Sequence, residues 1–291
     1  MNASELTFGI EIETVAPDSA VRLHGLVIGG YHCGIQVPYL PAGWKAEADS
    51  SIDNSAGGHK CEIISPVLKG IDGLRQVIEV AQTLTNYGHR VNASCGVHVH
   101  VGWLRSTSSI ALARLITMVS YVEKGLYAIT GTKSREAGRY SKKISTYGND
   151  KAAKTILDRD RMHVLNLTNL VYGSKETVEF RVFSASLNEV KLVGWVQVCL
   201  GLVERALNGK RMPLWNPKPL TGGWKKAGEG ASETERLMGF LAWGKGYAKQ
   251  HKGQVYGWIY NCESSVPALR VSMDSVKSMF RRLAKKYDGQ I

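Results

Sequence analysis

The chain has 291 residues, a net charge of +12, 44% hydrophobic residues and 21% charged residues. That is enough for one large domain or two modest ones with an ordinary soluble balance, and no apolar run is long enough to span a bilayer, so no membrane insertion is expected. Five scattered cysteines (Cys33, Cys61, Cys95, Cys199, Cys262) lack CxxC spacing, which argues against a disulfide framework or zinc knuckle and suits a reducing cytoplasm.

The opening residues Met1–Glu5 have neither the basic nor the apolar region of a secretory leader, so none is expected. Phe8-Gly9-Ile10-Glu11-Ile12-Glu13 then alternates apolar and acidic residues. A strand repeats every two residues, so Glu11 and Glu13 share one face while Phe8, Ile10 and Ile12 share the other. Residues 14–43, rich in Gly and Pro, read as loops around a short strand. In Trp44–Ile52 the alternation puts Glu47 and Asp49 on one side, and Cys61-Glu62-Ile63-Ile64-Ser65-Pro66 reads as a short strand ending at a proline. A helix is predicted from about Gly70 to Asn86, closed by Gly88. Cys95–Gly102 alternates again, bringing His98 and His100 to one face with Val97, Val99 and Val101 behind them.

The next helix is predicted over Ser108–Ile129, where Leu112, Leu115, Ile116, Val119, Val122 and Leu126 recur at helical spacing, with Ser106 or Thr107 as cap. Residues 131–160 are basic and polar and read as a long binding loop or lid with one short helix. In Glu176–Phe183, Val178, Phe180 and Val182 face one way, and Glu179 and Arg181 the other. Asn188 is placed to cap a third helix running to about Leu207. The prolines of Pro213–Pro219 exclude a helix interior, and this stretch, continuing to about Gly230, is the predicted boundary. Ala231–Gln250 and Ser272–Tyr287 read as helices. The expected organisation is a catalytic unit over residues 1–210 and a basic, mostly helical extension over residues 211–291, where most of the positive excess falls. Helices that follow strands imply an α+β fold: a largely antiparallel sheet covered on one face and polar on the other.

A sheet face lined by carboxylates and imidazoles is costly to bury unless it holds something. Oxygen ligands suit magnesium and manganese, and manganese also accepts imidazole. Glu11, Glu13, Glu62, His98 and Glu179 would supply such a cluster, Arg181 points into the same site, and Arg139 in the basic loop could close over phosphates. Rival readings stand beside this one. A lone strand glutamate such as Glu47 is ordinarily solvent-facing. His98 and His100 also fit a zinc-dependent hydrolase, and the basic C-terminal part fits a polyanion-binding protein without catalysis. His24, His32, His59, His89, His163 and His251 read as structural or surface residues, and Tyr140, Tyr147 and Tyr172 as packing.

The five strand motifs, in this order, resemble the amidoligase family, which belongs with glutamine synthetase and glutamate–cysteine ligase in the carboxylate–amine ligase superfamily. The resemblance covers about the first two-thirds of the chain. It implies a curved antiparallel sheet whose concave face binds ATP and two or three Mg2+ or Mn2+ ions. It implies phosphorylation of a substrate carboxylate by ATP and attack by an amine on the acyl phosphate. By motif, Glu11, Glu13, Glu62, His98 and Glu179 correspond to metal ligands, His100 to a phosphate contact, and Arg181 to the residue steadying the phosphoryl group or carboxylate. Asp49 corresponds to a further ligand or amine-site acid, and Arg139 to a phosphate-closing residue. The implied partners are a carboxylate substrate and an amine substrate, either of which could sit on a polymeric or polyanionic acceptor.

Overall fold

The computed structural model describes residues 1–210, 228–243, 254–259 and 271–289. Eight strands form one sheet: β1 (Thr7–Ala16), β2 (Ile35–Gln36), β3 (Lys45–Glu47), β4 (His59–Ile64), β5 (Leu68–Lys69), β6 (Gly96–Gly102), β7 (Leu165–Asn166) and β8 (Thr177–Ser184). Their order is β2-β3-β4-β1-β6-β8-β7, with β5 beside β1, and every strand pair is antiparallel. The helices are α1 (Asp18–Arg22), α2 (Gly70–Asn86), α3 (Ser109–Ala128), α4 (Ser134–Ala137), α5 (Lys151–Leu157), α6 (Thr168–Val171), α7 (Glu189–Asn208), α8 (Glu229–Phe240) and α9 (Met273–Tyr287). This is the α+β arrangement that the sequence predicts.

The alternating pattern sorts the two faces. Phe8, Ile10 and Ile12 of β1 and Val97, Val99 and Val101 of β6 are buried in one core with the apolar sides of α2, α3 and α7. Phe183 stacks on Trp195 of α7 at 5.0 Å. The opposite face carries the acids and histidines. β4 stops at Ile64, short of Pro66, and Ser65 finishes the ladder: its N–H donates to the Ile10 carbonyl at 3.0 Å, and its Oγ accepts from the Ile10 N–H at 2.9 Å.

β8 departs from simple alternation. Opposite β6, Val97 pairs with Phe183 but Val99 pairs with Phe180, so β8 holds one extra residue there. Such a bulge re-aims neighbouring side chains. The apolar face predicted to run through Val182 therefore continues through Phe183, although Val182 is buried as well.

Other boundaries shift for local reasons. Ser108 caps α3, its Oγ accepting from the Ile110 N–H, rather than Ser106 or Thr107. Asn188 caps α7 through the Lys191 N–H, as expected. Residues 131–160 contain two short α-helices, α4 and α5, and a 3-10 helix over Ser145–Asp150, instead of one short helix. The helix predicted over Ala231–Gln250 ends at Phe240, and the chain turns at Ala242 with φ of 60°. Residues 244–250 and the predicted boundary at Pro213–Pro219 lie outside the described residues. α8 packs on α3, and α9 packs on α7 and α8, so Leu237, Met238, Val276 and Phe280 join the same core. No helix among the described residues is long and apolar enough to cross a membrane.

Candidate active site

Strand register builds the site row by row, because directly opposed residues share a face. Glu62 of β4 lies opposite Glu47 of β3 on one side and Glu13 of β1 on the other. Glu11 lies opposite His98. His100 lies opposite Glu179, which in turn lies opposite Asn166. Residues from six separate chain segments thus meet on one face, above a cavity of about 710 Å³ lined by Glu11, Glu13, Glu62, His98, His100 and Arg181, and also by Glu47, Asp49 and Arg135.

His98 is the hub. Its Nδ1 lies 3.2 Å from Glu11 Oε2, 3.8 Å from Glu62 Oε1 and 3.8 Å from Glu179 Oε1, and its Nε2 lies 3.5 Å from Glu13 Oε1. Glu179 is only 2% exposed. It accepts from Asn166 Nδ2 at 2.6 Å and from Arg181 Nη1 at 2.5 Å. Glu13 accepts from the Gly96 N–H at 2.6 Å. His100 Nε2 lies 3.1 Å from Glu11 Oε1 but is not aligned for a hydrogen bond, leaving a buried nitrogen without such a partner.

The charges perturb one another strongly. Burial pushes the Glu62 carboxyl well above the usual range, and the like charges of Glu11, Glu13, Asp49 and Glu47 push it further. Burial also acts upward on Glu11 and Glu179, but the neighbouring imidazoles, with Arg181 beside Glu179, outweigh it and hold both carboxyls below the ordinary value. Burial pulls His100 down, yet Glu11 and Glu179 lift it above its ordinary value.

Six carboxylates gathered at a few histidines and arginines fit divalent cations. Among the described residues, three groups have ligand atoms within 4.8 Å of one another: Glu11, His100 and Glu179; Glu11, Glu62 and His98; and Glu13, Asp49 and Glu62. Oxygen donors dominate, cysteines are absent from these groups, and the orphaned His100 nitrogen is available to a further partner.

The predicted residues are brought together with one exception. Arg139 is exposed and outside the cavity, where it stacks on Tyr140 at 4.8 Å and donates to the Tyr140 hydroxyl at 2.6 Å. The arginine of that loop which lines the cavity is Arg135, 7% exposed, with Nη2 donating to the Arg181 carbonyl at 2.7 Å. Glu47 is buried at 5% exposure rather than solvent-facing, with His32 Nδ1 3.8 Å away. His32 and Tyr140, read as surface and packing residues, also line the cavity. Glu47 had a legible signal, its two-residue offset from Asp49. Arg135 had none, since a loop arginine carries no periodicity.

A family sequence model described as "Putative amidoligase enzyme" matches residues 4–147 and, overlapping these, 119–203. Together the two matches span more than half of the chain. The chain belongs to the amidoligase family. No curated protein matches its sequence. In structure it is similar to the complex of the prokaryotic ubiquitin-like protein Pup with its ligase PafA, at 12% identity and TM-score 0.45 over 98% of this chain and 65% of that one. It is also similar to a novel glutamine synthase homolog, at 13% identity and TM-score 0.45 over 96% of this chain and 70% of that one. A GmaS–ADP complex matches at 13% identity and TM-score 0.40, over 98% of this chain and 69% of that one. The chain thus spans 65% of the length of the chain it matches in the Pup–PafA complex.

Proposed function

We propose that this amidoligase family member joins a carboxylate to an amine at the expense of ATP, through an acyl phosphate. The observation that carries the reading is the buried row of carboxylates around His98, which has too few cations of its own. Glu11, Glu13, Glu62, His98 and Glu179 would hold two or three Mg2+ or Mn2+ ions, with Asp49 and Glu47 at the edge of the set. Bound there, the ions would neutralise the phosphates of ATP and polarise the transferring phosphoryl group.

The chain's own groups supply position and charge. Arg181, locked to Glu179 and set in the β8 bulge, offers a rigid guanidinium to the transferring phosphoryl group or the substrate carboxylate. His100 would contact phosphate. In the first step the substrate carboxylate oxygen bonds to the γ-phosphorus and the bond to ADP breaks. In the second the amine nitrogen bonds to the acyl carbon, phosphate leaves with the C–O electron pair, and the amine loses a proton. An acid at the Glu47–Asp49 end of the cavity can draw an ammonium substrate and accept that proton.

The unit carrying this chemistry is residues 1–210, with the basic residues 211–291, whose helices α8 and α9 pack into the same core, able to meet a polymeric or polyanionic acceptor. Cys33, Cys61, Cys95 and Cys199 are free thiols, in keeping with work in a reducing cytoplasm. Calorimetric titration with ATP in Mg2+, Mn2+ and EDTA tests the reading. Wild type should bind only with metal, and Glu179→Gln should weaken binding roughly tenfold or more, as loss of one charged partner does. No binding in any of the three conditions would sink it.

A further inference from the structure

Beside the main cavity lies a second, of about 120 Å³, that shares Arg135, Tyr140, Ser51 and Ser94 with it and is completed by Ala93, Ser134, Gly138 and Ser141. The two cavities have opposite chemistry. The first is walled by carboxylates; among the described residues, no acidic side chain lines the second. Its one charged group is Arg135. The residue is 7% exposed, Nη2 is committed to the Arg181 carbonyl at 2.7 Å, Nε is sealed in without a hydrogen-bond partner, and Nη1 is left free of hydrogen bonds. A permanent cation at the wall of a cavity with a free Nη1 edge favours a small anion beside it.

The strand beneath is cut to admit the guanidinium. A Cβ at Gly96 would stand 3.0 Å from Arg135 Nη2 and 3.2 Å from Nη1, so any larger residue there would push the guanidinium aside. The hydroxyls divide into two groups. Ser94 donates to Asn92 Oδ1 at 2.6 Å, and Ser141 donates to the Arg135 carbonyl at 2.6 Å. The Tyr140 oxygen accepts from Arg139, which leaves its own O–H to donate, and Ser51 is exposed at the rim.

We infer that this side pocket is an anion seat in which Arg135, Ser51 and Tyr140 hold a compact carboxylate carried by one of the two substrates. The planar guanidinium fork suits a carboxylate. The volume admits a carboxylate with a few carbons and not a nucleotide, since pockets for whole cofactor-sized ligands run to roughly 300–1,000 Å³. Because the two cavities share four residues, a molecule anchored here extends directly towards the acidic face. The inference deepens the ligase reading and rests on it for the word substrate. The seat itself needs neither nucleotide nor metal.

The test follows the Arg135 Nε–H resonance by nitrogen–proton correlation spectroscopy, assigned with Arg135→Lys, in EDTA without nucleotide. Acetate, glycine and inorganic phosphate are titrated in turn. A saturable shift with acetate or glycine, weakened roughly tenfold in Ser51→Ala, is the expected result. Ser51 is on the exposed rim, so this variant keeps the test valid even where Arg135→Lys disturbs folding. No shift with either carboxylate would overturn the seat. A shift with phosphate alone would overturn the carboxylate assignment, and a shift unchanged in Ser51→Ala would place the anion elsewhere. ATP binding measured separately by calorimetry keeps failure of the seat distinct from failure of the ligase reading.

Discussion

Glu62→Gln should make the metal-free protein more stable while abolishing its response to metal. Glu62 has oxygen atoms within 4.8 Å of those of Glu13 and Asp49. At that distance, with an effective dielectric constant of about 20, each ionised pair repels by about 3–4 kcal/mol. The gain from removing the charge is smaller. Burial and its acidic neighbours already disfavour the Glu62 charge, and the variant loses the attraction to His98, 3.8 Å away. A net gain of about 1–2 kcal/mol is expected, or roughly 2–8 °C in Tm. The pH dependence has a definite sign. A carboxyl raised in the folded state contributes stability that is fully present below its unfolded value near 4.5 and is lost as pH rises through its folded value. The difference between wild type and variant in EDTA should therefore widen from acid towards neutral pH. Thermal unfolding in EDTA and in excess Mg2+, with and without ATP, reads both effects. A variant that melts lower than wild type in EDTA, or that keeps the full stabilisation by metal, would refute the account of Glu62 as a charge placed for a cation.

Two further outcomes test the scaffold. His89 is buried, accepts or donates to Thr14 Oγ1 at 3.1 Å and Tyr39 Oη at 2.8 Å, and burial pushes it down to about 4. A histidine lowered in this way contributes stability that is complete above about 6.5 and is lost as pH falls towards 4, about 3 kcal/mol in all. His89→Gln should flatten that acid limb in denaturant titrations run across the pH range, and an unchanged limb would assign the loss to other groups. Gly194→Ala should cost about 1–3 kcal/mol by overpacking, because its Cβ would come 2.8 Å from Val276 Cγ1 and 2.9 Å from Phe280 Cζ. An unaltered Tm would mean that α9 does not sit firmly on α7.

Alternation in Phe8–Glu13 and Cys95–Gly102, and in Glu176–Phe183 as far as Arg181, was enough to assign each strand an apolar and a polar face, because a strand's side chains have a fixed period and the core accepts only one of its faces. The helical repeat from Leu112 to Leu126 located α3, although that helix is buried on more than the one stripe. The five strand motifs in order were also enough to point to the family that the sequence model then matched. What they left open was which polar faces meet. Glu47, ordinary as a lone glutamate, becomes part of the site only because β3 pairs with β4 and sets it opposite Glu62. The extra residue in β8 is invisible locally, since a bulge exists only relative to the partner strand. Arg135 rather than Arg139 lines the cavity because α4 and the space above Gly96 turn one loop arginine inward and leave the other on Tyr140. Periodicity is a property of a segment and can be read from the chain. Register, bulges and loop direction are properties of contacts between segments distant in sequence, and only the folded structure decides them.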